Sequence, residues 1–133
     1  MKTILISLFL ITSFSNFSQN QLHYFKGSFD QALDAAKTQN KDIFFITRSK
    51  SCPVFDVFNE EINADEETIS YLNEHLIVFE FDMDKASENE IKSLKNYYNS
   101  WKGYPQLYFI DKNENLISDI TYSLSYNQKQ QLE

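Results

Sequence analysis

Ser51-Cys52-Pro53-Val54-Phe55 contains the only thiol of the chain. A consecutively apolar run, residues 42–47, precedes it, and a run with helical spacing, residues 54–61, follows it. Apolar residues in unbroken succession suit a strand covered on both faces. Pro53 suits the first turn of a helix, where its missing N–H costs nothing. Cys52 is therefore expected at the N-terminus of a helix that follows a buried strand. A thiolate there is stabilised by unpaired N–H groups and the helix dipole, and Arg48 and Lys50 add positive charge nearby. The chemistry this permits is attack on a disulfide to give a mixed disulfide. Resolving that mixed disulfide within the chain needs a second thiol within reach, and the third residue on lies on the same helix face. That residue is Phe55, and no other thiol exists to replace it.

Other constellations are weaker. His23 and His75 have no cysteine or paired histidine at ligand spacing, so neither a metal site nor a cofactor is expected. Glu60, Glu61, Asp65, Glu66 and Glu67 read as a solvated helix start rather than a catalytic pair. Asp82 and Asp84 close a strand, where ligands often sit in α/β sheets, although a capped turn accounts for them equally. With only two glycines, Gly27 and Gly103, the chain has no phosphate-binding glycine loop. Its formal charge of −7 argues against nucleic acid and anionic membrane surfaces as partners.

The elements that must hold Cys52 follow from spacing. Ser28 and Gln31 form a capping box for a helix over 29–39. A second helix begins near residues 63–65, with Ile69, Leu72 and Leu76 on its apolar side, and leads into a strand over 76–82. Ser87 and Glu90 open a helix through Ile91, Leu94 and Tyr98. Residues 106–110 form a strand, 111–115 turn, and 116–122 return antiparallel; Ser125 caps a last helix, 126–133. The result is an α/β domain with a mixed central sheet between two helical layers. Twelve Phe and eight Tyr supply its core.

At the N-terminus, Lys2, the apolar run 4–11 and the small residues Ser13, Ser15 and Ser18 have the form of a secretory signal. The apolar run is too short to span a bilayer comfortably. Residues 1–18 are expected to be removed, leaving one domain over 19–133, exported to a periplasm or secreted, with no membrane span. A lone cysteine in an exported chain points to a reactive thiol or an intermolecular bond, including a Cys52-linked homodimer. A buried, inert cysteine is the alternative. The chain stops at Leu132-Glu133 within a short last helix, which also admits a piece of a longer protein.

The chain resembles the thioredoxin-like superfamily from Phe25 to Tyr122, in particular its exported branch with a longer helical insert after the active-site helix. Four landmarks carry the likeness. They are the strand 42–47, Cys52-Pro53 at the start of a Cys-x-x-Cys position, the stretch 63–76 with Ser70-Tyr71-Leu72-Asn73 leading into strand 77–82, and Gly103-Tyr104-Pro105. The resemblance implies a thioredoxin-like three-layer sandwich, a cis Tyr104-Pro105 bond facing the cysteine, and a substrate-binding rim of Tyr104, Pro105, Pro53 and Phe55. An extended peptide would pair with the strand edge near Tyr104. The chain departs from the pattern at the chemistry. Phe55 replaces the second cysteine, Ser51 the usual tryptophan, and Ile46 the buried acid. The Cys-Pro-x-x pattern with one cysteine is also similar to the anterior-gradient group. Two functions stay open: monothiol exchange with cysteine-containing partners, and a redox-inert binding or scaffold domain.

Overall fold

Alternation along three strands decides how this chain buries its aromatic residues. A computed structural model describes residues 21–97 and 105–122. Its elements are α1 (Phe29–Gln39), β1 (Asp42–Arg48), α2 (Pro53–Ala64), α3 (Glu66–His75), β2 (Leu76–Asp82), α4 (Glu88–Tyr97), β3 (Gln106–Ile110) and β4 (Leu116–Thr121). The strands form one sheet in the order β2-β1-β3-β4. β1 runs parallel to β2 and antiparallel to β3, and β3 is antiparallel to β4. A parallel neighbour requires a long crossover, which α2 and α3 provide.

Successive side chains of a strand face opposite sides. Ile43 and Phe45 of β1, Ile77, Phe79 and Phe81 of β2, and Tyr108 and Ile110 of β3 join α1 and Leu94 of α4 in one core. Phe44, Ile46, Val78 and Leu107 face the other way, onto Phe55, Phe58 and Leu72 of α2 and α3. Phe45 is the hub of the first core. Its ring centroid lies 5.1 Å from Phe29, 5.4 Å from Phe79 and 5.9 Å from Tyr108. Such aromatic pairs add roughly 0.5–1.5 kcal/mol each beyond their buried area. Helices thus cover both faces of a mixed sheet, the expected three-layer α/β sandwich.

Local signals set the boundaries. The Ser28–Gln31 capping box forms as expected, and α1 ends at Asn40, whose φ of 54° is left-handed. α2 runs past the expected stretch to Ala64, and Asp65 then caps α3 through Thr68 N–H at 3.1 Å. β1 extends one residue beyond its apolar run, to Arg48.

The segment before α1, which shows no periodic pattern in sequence, packs along the domain. Tyr24 bridges Val78 in parallel, with Phe25 N–H donating to the Val78 carbonyl at 2.7 Å. Asparagines fasten this strap. Asn63 Oδ1 accepts from Leu22 N–H at 3.2 Å and Asn73 Oδ1 from His23 N–H at 2.8 Å, while Asn73 Nδ2 donates to the Gln21 carbonyl at 2.9 Å. Leu22 is buried in the second core.

The expected signal over 1–18, Tyr98, Gly103, Tyr104 with its cis bond, and the last helix over 126–133 lie outside the described residues. Among those that are described, no helix is long and apolar enough to cross a membrane.

Candidate functional site around Cys52

Cys52 is the N-cap of α2, with extended φ and ψ of −111° and 94°, and Pro53 follows at the first helical position. Its N–H donates to the Ser49 carbonyl and its carbonyl accepts from Phe55 N–H, both at 3.1 Å. A tight turn therefore enters the helix at the cysteine, which is half-buried. The loop is tied to the end of β2. Asp84 accepts from Lys50 N–H at 2.5 Å and from Ser49 Oγ at 3.4 Å, and Met83 N–H donates to the Arg48 carbonyl at 2.9 Å. Asp84, read from sequence only as a strand-end acid, holds the cysteine loop.

The charged residues have distinct roles. The Arg48 guanidinium lies 3.1 Å from Glu80 and 4.0 Å from Asp82, and 5.5 Å from the centroid of the Phe55 ring. Much of its charge is thus spent on two carboxylates. Lys50 is exposed on the loop beside Cys52. Asp82 is desolvated, which works against its charge. Hydrogen bonds from Lys85 and the Asp84 N–H, with the Lys85 and Arg48 charges, outweigh this and hold its carboxyl below the usual range.

An open cleft of about 520 Å³ adjoins the cysteine, and Tyr24, Lys26, Lys50, Asn59 and Glu80 help to line it. Tyr24 donates its hydroxyl proton to Asn59 Oδ1 at 3.2 Å, and Asn59 Oδ1 also accepts from Asn63 Nδ2 at 3.0 Å. Burial, followed by the Glu80 charge, pushes the Tyr24 phenol up to about 12, with Arg48 opposing.

The other expected site residues fall into two groups. Pro53 is exposed at the helix start, and Phe55 lines the cleft yet is only 6% exposed, its ring 6.2 Å from Phe58. Pro105 is fully buried; its carbonyl accepts from Tyr122 N–H at 3.2 Å, and it is not among the described residues lining the cleft. Beside it, Gln106 N–H donates to Thr47 Oγ1 at 2.9 Å, which fixes the start of β3 against the end of β1. Ile46 is fully buried, so the buried-acid position is apolar. Its register partner on β2 is Glu80.

Tyr24, Lys26, Asn59 and Glu80 were missed as site residues. Glu80 alone carried a signal, as the single charge inside the apolar run Leu76-Ile77-Val78-Phe79-Glu80-Phe81. Alternation puts it on the α2 side of the sheet. Among the described residues no group of three or more His, Cys, Asp or Glu is placed to hold a metal ion.

Residues 29–130 match the family pattern of the thioredoxin-like domain. The chain belongs to that family. Solved structures agree on the fold. A candidate disulphide isomerase from Bacteroides thetaiotaomicron is 19% identical with a TM-score of 0.65, covering 81% of this chain and 86% of its own. DsbH oxidoreductase is 21% identical with a TM-score of 0.62, covering 84% and 83%. A thioredoxin from Thermus thermophilus is 17% identical with a TM-score of 0.62, covering 84% of each chain. Among curated proteins none matches this sequence. In this thioredoxin-like domain the cysteine position is kept at the helix start, and a core phenylalanine fills the position of the second thiol.

Proposed function

We propose that this thioredoxin-like protein is exported and exchanges disulfides through Cys52 as a monothiol. The observation that carries the reading is the place of Cys52 at the N-cap of α2, directly before Pro53, with Phe55 buried three residues later. The Cys52 thiolate attacks one sulfur of a partner disulfide. A bond forms between Cys52 Sγ and that sulfur, the partner's S–S bond breaks, and the second sulfur leaves as a thiolate with the electron pair. Phe55 cannot complete the second exchange. A thiolate from another protein, a small thiol, or the partner's own second cysteine attacks the mixed disulfide and restores Cys52. The signal-like residues 1–18 support export to a compartment where disulfides persist.

A redox-inert binding domain is the second reading, favoured by the packing of Phe55 into the core. Insulin reduction with dithiothreitol separates these readings from a dithiol enzyme: the mature protein accelerates it no more than a monothiol of equal concentration. A partner captured by wild type and lost in Cys52→Ser supports exchange; one retained equally by both supports the binding domain.

A further inference from the structure

The rim of the Cys52 cleft gathers three cations in an otherwise acidic chain. Lys26, Arg48 and Lys50 line it against Asp56 and Glu80, in a protein of net charge −7. Arg48 and Glu80 pair with each other. Lys26 and Lys50 are both exposed, and neither has a carboxylate within ion-pair distance among the described residues. One comes from the strap beyond Tyr24 and the other from the cysteine loop, so separate parts of the chain bring the two cations to one cleft. Asp56, exposed in the first turn of α2, and Asp84, whose carboxylate accepts from Lys50 N–H, are the opposing charges.

We propose that this cleft selects disulfides flanked by carboxylates, through Lys26 and Lys50. The proposal rests on Cys52 exchange and names its substrate class: an acidic peptide segment beside a cystine, or a small carboxylate-bearing disulfide. The two lysines attract the carboxylates as the disulfide approaches. They also stabilise the thiolate that leaves when Cys52 Sγ bonds to the other sulfur. Charges in an open cleft act through solvent, so the preference is a matter of several-fold in rate and weakens as salt screens it. A cationic disulfide is disfavoured by the same field.

The test measures rates of mixed-disulfide formation by the mature protein. The probes are neutral hydroxyethyl disulfide, cationic cystamine, dianionic dithiodipropionate, and a short peptide disulfide with glutamates beside its cysteine. Each charged-probe rate is divided by the neutral-probe rate in the same protein, and that quotient by the same quotient for an unstructured cysteine peptide, which cancels both the thiol's own reactivity and the probes' different leaving groups. In wild type the better anionic probe is expected to exceed cystamine by about five-fold at low salt, a ratio falling toward unity at high salt. The ratio is expected to collapse in Lys26→Gln/Lys50→Gln and to return in Lys26→Arg/Lys50→Arg. A preference for the peptide assigns the carboxylates to a protein segment, and one for dithiodipropionate to a small thiol; either supports the proposal. Equal ratios in wild type, or a ratio unchanged in the glutamine variant, overturn it while leaving Cys52 exchange intact. No reaction with the neutral probe overturns Cys52 exchange itself, and the proposal with it.

Discussion

Phe55 stands three residues after Cys52, and its backbone N–H donates to the Cys52 carbonyl at 3.1 Å while its ring lies in the core 6.2 Å from Phe58. The turn into α2 thus sets the thiol at the helix start, while the side chain three residues on is core packing. Phe55→Cys is expected to gain insulin-reductase turnover, because the introduced thiol can resolve mixed disulfides formed at Cys52. It should also lose roughly 3 kcal/mol of stability, in the range for emptying a buried aromatic site. Activity assays paired with urea unfolding check both. A stable variant without turnover would place the remaining defect at Ile46 or Ser51, where this sequence also departs from the family.

Gly27 precedes the N-cap of α1 with φ of 147°, a region L side chains rarely adopt. A Cβ there would collide with Gln31 Oε1, the atom that accepts from Ser28 N–H at 2.9 Å in the capping box. Gly27→Ala is expected to cost about 1–2 kcal/mol by combining backbone strain with a disturbed cap. Denaturant unfolding measures it, and an effect within error would remove the box from the account of α1.

The strap rests on side-chain amides rather than on a continuous ladder. Asn73→Ala deletes an acceptor for His23 N–H and a donor to the Gln21 carbonyl. The expected cost is about 1 kcal/mol, since hydrogen bonds near solvent are partly replaced by water. Amide exchange should quicken at His23 far more than in β1. Uniform loss of protection across the sheet would instead mean that the strap and the sheet unfold together.

The fold's response to pH has two limbs. Asp111 is held below its usual range mainly by the Asn115 side chain, Asp65 and Glu90 by the hydroxyls of Thr68 and Ser87, and Asp82 by Lys85 and its other partners against its own burial. A carboxylate depressed on folding contributes stability that is complete above its unfolded value, 3.8 for Asp and 4.5 for Glu. That stability is lost as pH falls through the lower folded value. At the alkaline end, burial pushes Tyr24 and Tyr108 up to about 12 from 10.0. Their stability is complete below about pH 10 and is lost as pH rises through about 12. Urea midpoints across pH should form a plateau between these limbs, and phenolate absorbance should show late-titrating tyrosines. Late titration that persists in Tyr24→Phe/Tyr108→Phe would contradict the assignment.

Much of the fold was legible because its signals are local. The consecutive apolar residues of β1, the caps at Ser28 and Ser87, and the turn between β3 and β4 each depend on neighbours in sequence. The place of Cys52 was legible for the same reason, since Pro53 marks where a helix begins. The site's surroundings were not. Tyr24 meets Asn59 across 35 positions and Lys50 N–H meets Asp84 across 34, and no periodicity encodes such meetings. Arg48 is legible as a cation near Cys52, but its ion pairs with Glu80 and Asp82 across 32 and 34 positions are not; they follow from the parallel pairing of β1 with β2.

The central claim is that Cys52 exchanges with disulfides and cannot resolve the product alone. Intact-mass measurement after incubation with hydroxyethyl disulfide tests it most directly. A single mercaptoethanol adduct is expected on the wild-type protein; it persists after excess reagent is removed, disappears on adding a thiol, and never forms on Cys52→Ser. An unmodified wild-type protein, under conditions where an unstructured cysteine peptide is fully converted, would contradict it.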